Sequence, residues 1–337
     1  MGRLVARVIL TKSAELNLDL VHINEKVGGS DMAAYLLEFD STHGRFSQSV
    51  TMAESDDYLL INGSKKIKYT RQTTPESIPW NESNVELVFE CTGAFLTPEQ
   101  IEGHLKRGVK RVVVSAPVDK GGILNVVMRC NEHLVTPEMR IVTAASCTTN
   151  CAAPVVGALD ASVGIEMGSI STVHNVTPTQ SVMDVPNPGK KNDLRRARSG
   201  AVNLAPTTTG SAKAVAMIYP HLKGKLDGLA VRVPCQNASI TDLVIVAKRD
   251  TTKEEINSIL ENASQSMPHV LGFEKRALVS TDYTNDSRSS IVDALSTQVV
   301  NKRLVKVLCW YDNEWGYVNR MAELGKLVGS MIPQAKL

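Results

Sequence analysis

The run SCTTNC at 146–151 places a cysteine where an apolar, β-branched stretch gives way to a helix-forming one. A thiol at a helix N-terminus faces the positive end of the dipole and several unpaired backbone N–H groups. Both favour the thiolate, which is the nucleophilic form. The same N–H groups can hold an oxyanion formed when that thiolate attacks a carbonyl, and Asn150 offers a side-chain donor beside them. Against this stands the commoner fate of a lone cysteine, burial as a small hydrophobe. Cys151 provides the contrast: one helical turn deeper, among Ala and Pro, it reads as core, and the pair is not a metal site. His174 ends the run STVHNV. It is either a packing residue of a strand or the base of a Cys–His pair, a spatial question that spacing does not decide.

The elements that must position these residues are short. The chain opens on a helix-like pattern in which Leu4, Val5, Val8 and Ile9 share a face. LDLVHIN (18–24), VELVFECTG (85–93), KRVVVSAP (110–117) and RIVTAAS (140–146) read as strands buried on both faces. TPEQIEGHLKRG between two of them reads as a helix with Thr97 as N-cap and Pro98 at the first position. Strand–helix–strand alternation predicts a Rossmann-type, doubly wound parallel sheet over 1–146. After it comes helix CAAPVVGALDASVG and then longer strands, SISTVHNV, GLAVRVP, ASITDLVIVAK and LVKVLCWYD. These predict an α+β domain over 147–313 with a mixed or antiparallel sheet. The segment 177–200 is too rich in Pro, Gly and charge, and too long, for a mere connection.

Composition excludes several classes. The chain has 337 residues and a net charge of +2, so it suits two domains and gives no push towards nucleic acid or membrane. There is no basic stripe with an aromatic platform, and no apolar stretch of membrane-span length. The cysteines at 91, 130, 147, 151, 235 and 309 lack paired CxxC spacing, which argues against zinc, and are too sparse for a disulfide scaffold. A reducing cytoplasm is the expected compartment.

ASCTTNC (145–151) resembles the active-site signature of the glyceraldehyde-3-phosphate dehydrogenase family. So do, in the same order, FDSTHGRF (39–46), CTG (91–93), TVH (172–174), DLRRAR (193–198), PTTTGSA (206–212), GKLDGLAVRVP (224–234) and WYDNEWGY (310–317). The resemblance implies that Cys147 attacks the aldehyde, that His174 takes the proton, and that NAD accepts hydride before inorganic phosphate releases an acyl phosphate. It implies substrate-phosphate contacts from Thr177, Thr179 and Arg232, and attacking-phosphate contacts from Ser146, Thr148, Arg196, Thr209 and Gly210. Taken alone, DLRRAR is a solvated helix face. For the cofactor it implies Gly2, Arg3, Asn24, Glu25, Thr92, Gly93, Ser115 and Asn313. It further implies a C-terminal helix, 314–337, completing the NAD-binding domain, a cofactor-lining loop at 177–200, and a homotetramer.

The chain departs from the family pattern in four places. The family begins with a strand and a GxGxxG turn; here Gly2 stands as the last of those glycines. The first strand and two phosphate-facing glycines are therefore expected to be missing, and the sequence reads as a shortened form of a longer protein that would bind NAD more tightly. The acidic residue after LDLVHIN is Glu25 rather than Asp. A carboxylate there accepts both ribose hydroxyls and repels a 2′-phosphate, favouring NAD over NADP; Pro186 fits NAD as well. HNVTPTQ lacks an aromatic the family often has, and VPNPGKKNDLRRAR is stretched. HINE, LLEFDSTHGRF and HNVTPTQ together look similar to a branch found with arsenate-resistance transporters, in which arsenate replaces phosphate. The alternatives are an erythrose-4-phosphate dehydrogenase, against which PTTTGSA argues, and a non-catalytic binding protein that has lost its cofactor.

Overall fold

A computed structural model describes residues 1–118, 120–186 and 194–333. The chain divides into two compact units: Met1–Val126 with Asn131–Ala145 and Val318–Leu337, and Val127–Cys130 with Ser146–Tyr317.

The first unit opens on helix α1 (Gly2–Thr11), in which Leu4, Val5, Val8 and Ile9 are all buried, as their spacing predicts. Strand β1 (His22–Asn24) is shorter than the LDLVHIN run. It pairs in parallel with β4 (Lys65–Thr70), which continues antiparallel to β3 (Tyr58–Ile61) and then β2 (Val50–Met52). These strands lie outside the apolar runs read from the sequence: β2 and β4 carry Thr and Lys at outward positions, and the one apolar run, YLLI in β3, is only four residues long. Helix α2 (Ser30–Glu38) buries Ala33, Ala34 and Leu37 in the core that those strands cover. A second sheet follows the order β5 (Leu87–Glu90), β6 (Arg111–Val114), β8 (Ile141–Thr143), β7 (Leu124–Asn125), all in parallel. Every residue of β6 is buried, the signature of a strand covered on both faces. Helix α3 (Pro98–Ile101) starts on a capping box from Thr97 and Gln100, with Pro98 at its start, and tightens into a 3₁₀ turn over Glu102–Arg107.

The doubly wound sheet is therefore divided into two sheets of four strands. Strands β1 and β5 each end one of them, and both line a single cavity of about 1800 Å³ with Gly2, Leu20, Leu59 and Phe89. Among the described residues no further strand pairs with either edge. Protein interiors are close-packed, and buried ladder groups demand partners.

The second unit is one mixed sheet of eight strands with helices on it. Helix α4 (Cys147–Val163) leads into β9 (Ile165–His174). Then come β10 (Ala205–Thr208), α5 (Ser211–Ile218), β11 (Leu226–Arg232), β12 (Ser239–Ala247) and α6 (Lys253–Ser266). β13 (Leu271–Glu274), β14 (Ser290–Asp293), β15 (Gln298–Val300) and β16 (Leu304–Tyr311) complete the sheet. Its order is β10-β11-β9-β12-β16-β14-β13, with β15 paired to β16. Only β9–β11 and β13–β14 run parallel. Along β9, Ile170, Thr172 and His174 are buried, while Met167 and Val173 on the alternate positions are exposed, with Leu229 and Leu304 of neighbouring strands exposed too. Helix α7 (Trp315–Ser330) ends the described elements. Among the described residues no helix is long and apolar enough to cross a membrane.

Candidate active site

Cys147 is the first residue of α4. Ala145 just before it adopts φ +54, a left-handed turn that redirects the chain into the helix. Ser146 caps the helix: its Oγ accepts from Thr149 N at 3.1 Å. The uncommitted N–H groups of that first turn surround a half-buried thiol. His174 Nε2 lies 3.5 Å from Cys147 Sγ, so the fold does bring the two candidates together. Cys151 is fully buried; its Sγ donates to Ser290 Oγ at 3.5 Å and points away from that pair.

The electrostatics qualify the expectation drawn from the helix mouth. Burial pushes the Cys147 thiol up, against the downward pull of the nearby Arg232 guanidinium and of hydrogen bonds from Thr148. His174 is held down at about 4, first by burial and then by the positive charge of Arg232, with a smaller push from Arg196. Both shifts run against the charged form of the group concerned. The helix N-terminus favours a thiolate, and burial opposes it, because an ion is costly to desolvate.

The register of the sheet supplies Arg232. In the parallel pair β9–β11, His174 sits opposite Arg232. Arg232 Nη1 is 2.7 Å from His174 Nδ1 and donates to the Asn175 carbonyl oxygen at 3.1 Å, while Nε is buried without a partner. No carboxylate pairs with Arg232 among the described residues; burial and Arg196 both press on its charge. Arg196 is buried and donates from Nη1 to Thr179 Oγ1 at 2.9 Å, and Thr179 shares a hydrogen bond of 2.9 Å with Thr177. A guanidinium such as that of Arg232, held among the described residues by a carbonyl and an imidazole and by no carboxylate, suits a tetrahedral oxyanion.

The remaining residues of the expected anion sites are already engaged. Thr148 Oγ1 hydrogen-bonds Tyr311 OH at 2.9 Å. Thr209 Oγ1 accepts from Ser211 N at 3.2 Å, beside Gly210 at the start of α5. Ser146 is spent as the cap. Each can still offer backbone N–H or a second lone pair, but none is a free hydroxyl. Of the segment 177–200, residues 187–193 lie outside the described residues.

Two residues were not singled out from the sequence. Tyr311, buried, bridges the Thr148 and Thr172 hydroxyls at 2.9 Å each and sets its ring edge-on to His174. Asn175 places its carbonyl 2.9 Å from His174 Nδ1, and its N–H donates to Ser239 Oγ, which in turn donates to Asn313 Oδ1 at 3.4 Å. Tyr311 lies inside the WYDNEWGY run, but nothing local marks either residue as a partner of the pair.

In the first unit, the residues expected at a dinucleotide sit around the ends of β1 and β5. The N-terminus of α1 has no side-chain cap, leaving its first N–H groups for a phosphate. Gly93 has φ +67, and a Cβ built on it meets nothing within 4 Å. Thr92 is tied to Glu90 through its N–H and hydroxyl at 2.7 and 2.5 Å, and Ser115 N donates to Glu90 O at 2.9 Å. Glu25 forms an exposed ion pair with Arg3 at 3.3 Å. Asn24 departs from its expected role: its side chain accepts from Gln72 N at 2.8 Å and Thr70 Oγ1 at 2.9 Å, tying β1 to the end of β4. The carboxylate chemistry therefore falls to Glu25. These residues fit a dinucleotide with an uncharged ribose edge.

A thiol able to add to a carbonyl beside an imidazole, carried on a chain whose other unit offers parallel strands and an acidic residue after the first of them, is the equipment of an NAD-dependent aldehyde oxidoreductase. The profile of the glyceraldehyde 3-phosphate dehydrogenase NAD-binding domain matches residues 1–98, and that of the C-terminal domain of the same enzymes matches residues 146–313. Glyceraldehyde-3-phosphate dehydrogenase 3 of Nostoc sp. is 51% identical over 97% of this chain and 95% of its own length. The enzyme of Cereibacter sphaeroides is 42% identical over 98% and 96%, and glyceraldehyde-3-phosphate dehydrogenase 2 of Bacillus subtilis 42% over 96% and 92%. The chain belongs to the glyceraldehyde-3-phosphate dehydrogenase family of NAD-dependent oxidoreductases.

Cys147→Ser should abolish turnover, whereas Cys151→Ser should leave most of it, because only the first thiol stands at the helix mouth. Iodoacetamide should label Cys147 before any other cysteine. Equal loss of activity from both changes, or faster labelling elsewhere by peptide mapping, would remove Cys147 from this role.

Proposed function

We propose that the chain oxidises glyceraldehyde 3-phosphate with NAD and transfers the acyl group to inorganic phosphate. The single observation that carries this reading is the approach of Cys147 Sγ to His174 Nε2 at 3.5 Å beside the partly buried guanidinium of Arg232. Cys147 Sγ adds to the aldehyde carbon while its proton passes to His174, and the α4 N–H groups hold the oxyanion. Bound NAD supplies the two-electron oxidant, leaving a thioester on Cys147. A phosphate oxygen then attacks the thioester carbon, and the Cys147 thiolate departs. Thr177, Thr179 and Arg232 hold the substrate phosphate. Ser146, Thr148, Arg196, Thr209 and Gly210 hold the attacking anion. Gly2, Arg3, Glu25, Thr92, Gly93 and Ser115 receive the dinucleotide, and Asn313 orients its carboxamide. Arsenate has the shape and charge to replace phosphate as the attacking anion; the HINE and HNVTPTQ segments favour that physiology.

A homotetramer in the cytoplasm completes the proposal. The alternate-residue face of the large sheet supports assembly, since Met167 and Val173 on β9, Leu229 on β11 and Leu304 on β16 are exposed apolar side chains. The assembled Cys–His pair speaks against a purely binding role. PTTTGSA speaks against erythrose 4-phosphate as the preferred substrate.

NADH should form from glyceraldehyde 3-phosphate only when phosphate or arsenate is present, with erythrose 4-phosphate a poorer substrate. No NADH under either anion would refute the activity. His174→Asn should slow acylation about a hundredfold or more, the usual worth of a general base; unchanged single-turnover rates would uncouple it from Cys147. Glu25→Ala should weaken NAD binding and relax the rejection of NADP. If the unmodified protein already uses both equally, Glu25 does not read the ribose.

A further inference from the structure

Beneath the Thr92–Gly93 turn lies a buried polar relay that the aldehyde chemistry leaves unused. Glu90 ends β5, His104 sits in the 3₁₀ turn that follows α3, and Trp80 starts a 3₁₀ turn, Trp80–Ser83; all three side chains are buried. Trp80 Nε1 donates to His104 Nδ1 at 3.1 Å, and the ring of His22 packs edge-on to the indole at 4.7 Å. An indole N–H can only donate, so Nδ1 keeps its lone pair and the single ring proton stands on Nε2. Nε2 therefore donates to Glu90 Oε2 at 3.0 Å. Glu90 Oε1 accepts from the Thr92 N–H at 2.7 Å and from the Thr92 hydroxyl at 2.5 Å. With its proton given to Glu90, Thr92 Oγ1 accepts in turn from the Ala94 N–H at 3.1 Å. Every donor runs towards one carboxylate, which pairs with no Lys or Arg among the described residues. Burial alone would raise the Glu90 carboxyl; the hydrogen bonds from His104 and Thr92 hold it below its ordinary range.

A buried carboxylate is a costly way to hold an exposed turn. A neutral amide would serve Thr92 as well, but its other end would aim N–H donors at the Nε2–H of His104. Trp80 prevents that ring from offering a lone pair there instead. A carboxylate satisfies both sides at once. What it holds is open above: Gly93 has φ +67, a Cβ built on it meets nothing within 4 Å, and its N–H has no partner among the described residues. We propose that Glu90 and His104 are positioning residues of the cofactor site, fixing the Thr92–Gly93 turn so that the Gly93 N–H is presented to the dinucleotide, and that Trp80 sets the tautomer through which His104 holds Glu90. The proposal rests on the reading that this turn receives the dinucleotide. All three side chains lie beneath the turn and act through it, from the indole to the imidazole, the carboxylate and then Thr92. A turn released from this hold must be ordered when the cofactor binds, and that ordering is subtracted from affinity.

The test is calorimetric titration of NAD into the full chain and its variants, with thermal midpoints measured alongside. Glu90→Gln should weaken NAD binding by about tenfold or more, the worth of a hydrogen bond to a charged group, and the loss should fall on KM for NAD rather than on kcat. Adding Trp80→Phe to that variant should restore part of the affinity, because His104 can then carry its proton on Nδ1 and accept from the amide. A role confined to packing gives the opposite result, since removing the indole only adds a second loss. Amide hydrogen exchange without cofactor should follow the same order, the Thr92 N–H exchanging faster in Glu90→Gln and more slowly again in the double variant. Should Glu90→Gln fold poorly, Glu90→Asp keeps the charge but shortens the arm; it should lose NAD affinity too, and Trp80→Phe should not restore it. Unchanged affinity in both Glu90 variants would overturn the proposal, as would a double variant that binds no more tightly than Glu90→Gln. Gly93→Ala tests the underlying reading separately. Unchanged NAD affinity there would remove the turn from the cofactor site, and the proposal with it. A loss in Gly93→Ala with none at Glu90 would overturn the proposal alone and leave the turn in the site.

Discussion

The pairing of β9 with β11 is the constraint on which the site depends. Because it is parallel and in register, His174 and Arg232 end neighbouring strands side by side, on the face where α4 lies. Strand side chains alternate, so a slip of one residue would send His174 to the opposite face and turn one of its chain neighbours towards Cys147 in its place. Register here is set by burial: Ile170 and Thr172 on β9 and Ala230 on β11 must all point to the covered side. The same alternation that makes a core therefore aims the base.

Burial also sets the chemistry of that base. Taking Cys147, His174 and Arg232 out of water raises the thiol, lowers the imidazole and leaves a guanidinium without a carboxylate. Each shift disfavours a charged form or strands a charge, and a negative ligand relieves the imbalance. The groups that Arg232 meets within the protein are a carbonyl and an imidazole, neither of them a carboxylate. A site built in this way is under-satisfied by itself and completed by an oxyanion, which is what a phosphorylated aldehyde and its acyl acceptor both bring.

The first unit makes a different use of unsatisfied groups. Its two four-stranded sheets end on β1 and β5, and the groups suited to a dinucleotide cluster at those ends: the uncapped N–H groups of α1, Glu25, and the Thr92–Gly93 turn tied down by Glu90. Ligands of open α/β sheets gather at the carboxyl ends of the strands, where helix N-termini and turns meet. Cohesion on either side comes from separate cores, one around Leu37, Leu59 and Ile67 and one around Ile101, Val112 and Val114.

Much of this was legible in the residues alone. The apolar stripe of α1, the buried run of β6, the Thr97 and Pro98 start of α3 and the longer strands β9 and β12 are local patterns, and local patterns follow from periodicity and capping chemistry. Cys147 at a helix mouth was visible for the same reason. The strands β2 and β3 were not, since VTM and YLLI are only three and four residues long; nor was the true length of β1, because only His22–Asn24 finds a ladder partner in β4. The engagement of Thr148 with Tyr311 and of Asn24 with Thr70, and the buried links through Asn175 and Tyr311, join residues far apart in the chain. The residue types that can do chemistry are a property of the sequence. Which protons they carry is a property of the fold, because burial and the distance to Arg232, neither of which any local pattern encodes, decide where a charge is tolerated.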